Sequence, residues 1–335
     1  MKPAATRSVA AAPRPTPPPA RPSRPVTRPP NRPLVIPVRS ASPAAPAAQQ
    51  ASGSEYQWTY QGRRIPVPYD VIGRGPPGLM LPAMSTVSLR SELAGLAQAL
   101  ADRASWTVPD WPGFGESSRP PLEYGPDVFR EFLADFASAI FDGPVPVVAA
   151  GHAAGFALEL GRADPGRWSR IVLVAPTWMG PFRAMGMSEG VKAFARGLIR
   201  SPVVGEALYG ALTTPDQIRA QYASHVMVDR AFLTDDFVAR KQGLTRVEGA
   251  RFAPSSFITG YLDPFEDREG VLDLARSLEV PVVVVVGEDT PRKSKAEMEA
   301  LGAVEGVEVR RVRGSLGVHE EFPREVAEAV LPFLS

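Results

Sequence analysis

The chain has 335 residues and a formal net charge of +1, a length that fits one large domain or two ordinary ones. The absence of cysteine excludes disulfide bonds and thiolate chemistry, and it is typical of a protein that stays inside the cell. No apolar run reaches membrane-spanning length and no signal-peptide core follows Met1, so we expect no stable membrane insertion.

The first 54 residues, here called the basic arm, differ from the rest in composition and charge. The arm is rich in Pro, Ala and Arg, has no acidic residue, and carries eight of the 37 basic residues. The other 29 basic residues and all 36 acidic residues follow it, which gives the following part a net charge of −7. Because such an arm cannot bury enough apolar surface to offset the entropy of ordering, we expect it to be disordered.

Three roles of the basic arm remain open. A solvated Pro-rich spacer is the simplest, and it goes with a cytoplasmic protein. An organelle transit peptide agrees with the many arginines and the missing acids, and it would direct the chain to a plastid or another organelle. Contact with nucleic acid or anionic lipid is disfavoured because the basic residues stand isolated between prolines, without interleaved aromatics. We therefore expect no nucleic-acid partner.

From Glu55 onward the hydrophobic pattern alternates between strands and helices. In chain order, it predicts strands at 55–60, 65–72, 79–81, 106–108, 145–150, 171–174, 280–286 and 307–312. Helices are predicted at 89–103, 126–141 and 324–334. This alternation predicts an α/β fold with a mostly parallel, doubly wound sheet over residues 55–335. Between about residues 178 and 263 the strand pattern stops, and we expect a Met- and Phe-rich helical cap.

Two short motifs carry the strongest functional signal. Asp110 opens the sequence Asp-Trp-Pro-Gly-Phe-Gly-Glu-Ser, in which the two glycines permit a tight turn after a strand. About forty residues later, Gly151-His152-Ala153-Ala154-Gly155 follows an apolar strand and opens a helical pattern. Its outline is that of Gly-x-Ser-x-Gly, the nucleophile elbow, with alanine in place of the serine.

With these two motifs the chain resembles capped, α/β-hydrolase-1-like members of the α/β-hydrolase superfamily, over roughly residues 56–335. The resemblance implies an α/β-hydrolase fold with a helical cap, and it places Ala153 at the nucleophile position. The oxyanion segment, usually a His-Gly pair after the third strand, reads Pro82-Ala83 here. Since a methyl group cannot attack a carbonyl carbon, the implied acyl transfer lacks its nucleophile.

The resemblance also places the other two members of a catalytic triad. The acid follows the seventh strand, where Asp289 comes two residues after Gly287, whereas family members more often place it three residues after. Aligning the Glu-Phe-Pro at 321–323 with the family pattern puts Leu316 at the histidine position, with His319 three residues beyond it. Asp289 and His319 are therefore candidate remnants of a degenerate triad.

These joint departures predict a pseudo-hydrolase, a non-hydrolytic ligand-binding or protein-interaction module. The backbone N–H groups of Met84 and Ala154 would remain as donors toward a small apolar ligand with a carbonyl group. The candidate ligand-binding residues are Met84, Ser85, His152, Ala153, Ala154 and Trp178. The competing interpretation is that these groups only pack the cap onto the sheet.

Two other functions remain open. A cofactor-free lyase or isomerase would use Asp289 and His319 as acid and base. An atypical hydrolase would use a relocated serine, Ser85 or Ser88, on a small ester or carbonyl compound. His225 has no metal-ligand partner at a useful spacing, and no phosphate loop or dinucleotide fingerprint appears, so we predict no cofactor and no bound metal.

Overall fold

The computed structural model describes residues 51–335, with side chains from residue 53. The predictions for the basic arm fall almost wholly outside the described residues. Eight strands form one sheet in the order β1-β2-β4-β3-β5-β6-β7-β8. They are β1 (Ala51–Tyr60), β2 (Arg63–Gly73), β3 (Pro77–Leu81), β4 (Ser105–Pro109), β5 (Val145–Ala150), β6 (Trp168–Val174), β7 (Val282–Gly287) and β8 (Val307–Val312). β2 runs antiparallel to its neighbours β1 and β4, and the other neighbouring strands are parallel.

Helices connect the strands and cover the sheet. They are α1 (Ala94–Ala99), α2 (Pro126–Ile140), α3 (Ala153–Ala163), α4 (Pro181–Ala184), α5 (Glu189–Arg200), α6 (Val204–Leu212), α7 (Pro215–Gln221), α8 (Asp235–Gly243), α9 (Phe252–Thr259), α10 (Arg268–Arg276), α11 (Arg292–Gly302), α12 (Val318–Glu321) and α13 (Pro323–Leu334). The sequence prediction of an α/β fold with a mostly parallel sheet is confirmed. The predicted helix at 89–103 is shorter than expected, because a 3₁₀ turn at Arg90–Leu93 precedes α1.

The apolar runs predicted as central strands form the middle of the core. Every residue of β7 is buried, and the last four residues of β3, β5 and β6 are buried as well. Strands that are covered by helices on both faces carry such continuous apolar runs. On one side α2 buries Val128, Phe132 and Phe136, which are spaced four residues apart on one helix face.

The parallel strands bring six loops to one edge of the sheet. In doubly wound sheets, ligands bind outside the carboxyl ends of the strands. The loops at that edge follow β3, β4, β5, β6, β7 and β8, and they contain residues 82–88, 110–125, 151–152, 175–180, 288–291 and 313–317. These loops hold most of the residues that the sequence singled out.

The loop after β4 is held by a buried carboxylate. Asp110 accepts hydrogen bonds from the backbone N–H groups of Arg90 (2.7 Å) and Glu116 (2.8 Å), and it pairs with the Arg90 guanidinium at 2.7 Å. Gly115 has φ +54°, and a Cβ atom there would lie 2.2 Å from a carboxylate oxygen of Asp110. The motif therefore uses glycine because its backbone wraps closely around Asp110.

Within the described part of the chain, the segment predicted as a cap contains helices and no strand. One small apolar cluster of this segment packs around Val87, from the loop after β3, and its other members are Ile218, Tyr222, Met227, Leu233, Phe237 and Val238. None of the helices within residues 51–335 combines the length and the apolar character that crossing a membrane requires.

Candidate functional site

The sharp turn after β5 centres on Gly151. β5 ends at Ala150, Gly151 has φ +51°, and His152 already has right-handed helical angles (φ −70°, ψ −20°) before α3 begins at Ala153. Ala153 lies in the first turn of the helix, and its side chain is fully buried. The turn therefore lies two residues earlier than the Gly-x-Ala-x-Gly pattern predicts. Gly151, not Ala153, has the left-handed backbone that strains other residues at such elbows.

A side chain at position 151 would enter the loop edge of the sheet. A Cβ atom built on Gly151 would lie 3.1 Å from the Cβ of Ala83 and 3.9 Å from the hydroxyl oxygen of Thr177. The backbone of Gly151 is fixed on both sides, since its N–H donates to Val174 O (3.0 Å) and its carbonyl accepts from Thr177 N–H (3.1 Å). The turn is thus well anchored, but it presents no side chain.

Backbone donors flank this turn. Ala154 N–H, predicted as a free donor, donates to the carbonyl of Gly151 at 3.3 Å. His152 N–H follows the turn directly at the start of α3, and within residues 51–335 it donates to no backbone carbonyl; the same holds for the N–H of the buried Met84. The N–H groups of Met84 and His152 therefore have no backbone acceptor within the described part of the chain. Helix N-termini add a partial positive charge to such donors.

The side chain of His152 belongs to a buried polar network that the sequence pattern does not predict. Its Nε2 lies 2.9 Å from Oδ1 of Asp263, while its Nδ1 has no hydrogen-bond partner among the described residues. Asp263 also accepts from Gly180 N–H (2.9 Å) and pairs with Arg183 at 2.8 Å. This network ties the elbow to the predicted cap. No local sequence signal identifies Asp263, which lies 111 residues from His152.

Trp178 and the serines after β3 lie near the same edge but differ in exposure. Trp178 is buried, and its indole N–H has no partner among the described residues. Ser85 is half-buried, its Oγ lies 2.7 Å from Oγ of Ser88, and it accepts from Val87 N–H at 3.3 Å. The serine pair therefore caps the loop locally and contacts no histidine side chain among the residues described.

The loop after β7 holds both candidate acid positions. Asp289 is exposed, and its carboxylate accepts from Gly314 N–H at 3.2 Å, so it fixes the loop after β8. Thr290, three residues after Gly287, is buried, and its hydroxyl has no partner within residues 53–335. The position that usually carries the acid in the family thus carries a threonine.

The loop after β8 is bonded to the predicted cap. Leu316 is half-buried and its N–H points to the carbonyl of His225 at 3.4 Å, and Ser315 Oγ donates to the same carbonyl at 2.7 Å. Gly317 N–H donates to Val226 O at 2.7 Å. Leu316, at the predicted histidine position, has an aliphatic side chain. The loop that carries it hydrogen-bonds to the predicted cap.

His319 lies in a different environment from Asp289. It is buried, and its Nε2 lies 3.7 Å from an oxygen of Glu92. Glu92 pairs with Lys241 at 2.6 Å, and Lys241 also lies 3.1 Å from Glu320. The structure therefore does not bring His319 and Asp289 together as an acid–base pair; each is held by other partners.

The cluster of Glu92, Lys241, Glu320 and His319 joins α8 of the predicted cap to the rest of the α/β fold. Its charged groups lie close enough to shift one another's pKa. Burial acts to raise the pKa of Glu92, but the Lys241 cation and His319 outweigh it and lower that pKa. Burial opposes the charge of Lys241 too, and the carboxylate of Glu92 nevertheless raises the pKa of the ammonium. Burial raises the pKa of Glu320. The cluster therefore holds a buried Lys–Glu ion pair.

A sequence model of the alpha/beta hydrolase family matches residues 79–329. The chain belongs to this family. No curated protein sequence matches it. Among solved structures, a hydrolase from Pseudomonas aeruginosa PA01 is 18% identical, with 85% of this chain and 99% of that chain covered and a TM-score of 0.64.

A serine hydrolase involved in carbazole degradation, the CarC enzyme, is also 18% identical, with 84% and 98% covered and a TM-score of 0.64. The haloalkane dehalogenase DatA from Agrobacterium tumefaciens C58 is 16% identical, with 85% and 97% covered and a TM-score of 0.62. At these identities the α/β-hydrolase fold is shared, and fold alone does not assign a reaction.

Proposed function

We propose that this α/β-hydrolase family member binds a small apolar ligand with a carbonyl group at the elbow and does not hydrolyse it. The observation that carries the proposal is Gly151. The elbow turn centres on a glycine, so no oxygen, sulfur or carboxylate stands where a side chain would enter the loop edge. Acyl transfer through this turn then has no attacking atom.

Two further positions support the loss of acyl transfer. Thr290 stands where family members usually have the acid, and a hydroxyl cannot hold a charged imidazole as a carboxylate does. Leu316 stands where the family pattern has histidine, and it cannot accept a proton. An enzyme of this type without its nucleophile retains only the residual catalysis of its donors and its binding site.

The remaining groups favour binding. The N–H groups of Met84 and His152 need no particular side chain, and the backbone before His152 is anchored at Gly151. Ala83, beside the turn, and the neighbouring Met84 supply apolar surface, which together with a few fixed donors is the usual make-up of a small-molecule site. A purely structural role, in which these groups only pack the cap onto the sheet, is the competing interpretation and predicts no bound ligand.

We expect the wild-type protein to resist a fluorophosphonate probe and to release no p-nitrophenol from short p-nitrophenyl esters above the buffer rate. Native mass spectrometry of gently purified protein should in turn detect a retained neutral small molecule. An active serine hydrolase, labelled in parallel, controls for probe quality. Covalent labelling of Ser85 or Ser88 with ester turnover would overturn the proposal in favour of a relocated serine. Neither labelling nor any retained molecule would favour the structural role.

A second candidate function is acid–base catalysis on a carbonyl compound without a cofactor. It is favoured by the buried His152–Asp263 pair, whose free Nδ1 lies on the residue that follows the elbow turn. A carboxylate that holds one imidazole nitrogen leaves the other available as a base. This candidate replaces the pair of Asp289 and His319 predicted from sequence.

His152→Gln is expected to separate the two candidates, because glutamine can still hydrogen-bond to Asp263 but cannot act as a base. If His152 is a base, the variant should lose deuterium exchange at the α-carbon of 2-heptanone by at least about 100-fold, as followed by proton NMR. If the protein only binds, wild type and variant should both exchange at the buffer rate.

A further inference from the structure

Arg119, in the loop after β4, is a buried cation without a counter-ion. The residue is only 8% exposed, and no carboxylate within residues 53–335 lies within ion-pair distance of it. Its Nη2 donates to the carbonyl of Gly115, but Nε and Nη1 have no hydrogen-bond partner among the described residues. With this single hydrogen bond, four of the five N–H donors of the guanidinium have no partner within residues 53–335.

Arg90 provides the contrast in the same region. Its guanidinium contacts Asp70 at 3.0 Å, Asp110 at 2.7 Å and Glu116 at 2.6 Å. The carboxylate of Asp110 is close enough to raise the pKa of Arg119, yet its oxygens are taken by Arg90 and by Glu116 N–H. Arginine is almost never fully buried unless it is paired, because removing its charge from water is costly. The buried charge of Arg119 therefore needs an anionic partner, and the described residues do not supply one.

Other unpaired polar groups lie around Arg119. The phenol of Tyr209, from α6, is 4% exposed, has no hydrogen-bond partner among the described residues, and is close enough to Arg119 for each to affect the pKa of the other. Burial lowers the pKa of the Arg119 guanidinium, and its neighbours only partly oppose this. The hydroxyl of Ser117, in the same loop as Arg119, is also buried without a partner. These groups are hydrogen-bond donors, and an acceptor-rich anion would satisfy them together.

We propose that Arg119 and Tyr209 form a binding site for a small oxyanion, a carboxylate, between the loop after β4 and helix α6. Arginine recognises carboxylate and phosphate oxygens through the same donors, so inorganic phosphate serves as a probe of the same chemistry. The free nitrogens of Arg119 are closed to solvent, so entry of the anion requires the structure around them to open locally. The proposal does not rest on the proposed function, because neither residue belongs to the elbow.

The site is tested on the full chain by thermal unfolding and calorimetric titration with sodium butyrate and inorganic phosphate. Sodium chloride at equal ionic strength controls for screening, and butyramide controls for the apolar tail. Arg119→Gln and Tyr209→Phe remove the proposed donors, and Arg119→Lys keeps the charge with fewer donors. Arg240→Gln, which removes an exposed charge from α8, is the matched control.

We expect butyrate to raise the Tm of the wild type while butyramide and chloride do not. Arg119→Gln should weaken butyrate binding at least tenfold, Arg119→Lys and Tyr209→Phe by an intermediate factor, and Arg240→Gln by less than twofold. A Tm rise with phosphate but not with butyrate would overturn the carboxylate assignment. Equal anion effects on wild type, Arg119→Gln and Tyr209→Phe, or none on the wild type, would overturn the site itself. Because Tyr209→Phe preserves shape, it decides the question even where an Arg119 variant fails to fold.

Discussion

Gly151→Ser alone is expected to leave the protein inert to a fluorophosphonate, whereas Gly151→Ser combined with Thr290→Asp and Leu316→His is expected to be labelled at position 151. The first variant supplies a hydroxyl at the left-handed turn, but no base activates it. The triple variant adds the imidazole and the carboxylate that a serine nucleophile needs. Labelling by the triple variant should exceed that of the single variant by about 10³-fold or more, as measured by intact-protein mass spectrometry over time.

Ala153→Ser is the matched control for the register of the elbow. It adds the same hydroxyl to the residue that the Gly-x-Ala-x-Gly pattern selects, but in the fully buried first turn of α3. We expect it to remain unlabelled, alone or combined with Thr290→Asp and Leu316→His. Labelling at position 153 and not at 151 would show that the pattern locates the nucleophile position and that the backbone turn does not.

The elbow illustrates which features the sequence could predict. The apolar run that ends at Ala150 gave the correct bounds of β5, and the helix after it was expected. The two glycines of the motif place the elbow at Ala153, whereas the positive φ lies two residues earlier, at Gly151. The backbone needs positive φ at the first residue after the strand, and Gly151 meets that need. The end of strand β5 is a better guide to the position of the turn than the spacing of the two glycines.

The sequence pattern does not predict polar contacts between residues that lie far apart in the chain. Asp263 and Lys241 meet His152 and Glu92 across 111 and 149 residues, and such contacts leave no local periodicity. The position of His319 after the last strand makes it a candidate for the elbow, but its contact is with Glu92. Strands follow from local apolar patterns, whereas a buried ion pair depends on how distant segments pack.

Two buried networks join the predicted cap to the rest of the α/β fold. Asp263 binds His152, Arg183 and Gly180 N–H, and Lys241 binds Glu92 and Glu320. Removing one partner from such a network leaves an uncompensated buried charge, which costs more than the ion pair itself contributes. The stability of the cap–sheet contact should therefore depend strongly on these few side chains.

Lys241→Met is expected to lower the free energy of unfolding by about 3–5 kcal/mol at pH 7, measured by urea denaturation. The substitution leaves the buried carboxyl of Glu92 and the half-buried carboxyl of Glu320 without their cation, beside His319 and the ring of Tyr222. Lys241→Met combined with Glu92→Gln should recover most of the loss, because a neutral amide needs no counter-ion. Arg240→Met, on the exposed side of the same helix, should change stability by less than about 0.5 kcal/mol.

The loss in Lys241→Met is also expected to shrink as the pH falls below about 5. In the wild type the lowered pKa of Glu92 contributes stability above its ordinary value of 4.5, and that contribution is lost as the pH falls through the folded-state pKa. In the variant, burial without Lys241 raises the same pKa, so the penalty is relieved once the carboxyl takes up a proton. Both effects narrow the gap between the two proteins in acid. A loss that is equal at pH 7 and pH 4.5 would mean that the packing of the Lys241 stem, and not its charge, holds α8 to the sheet domain.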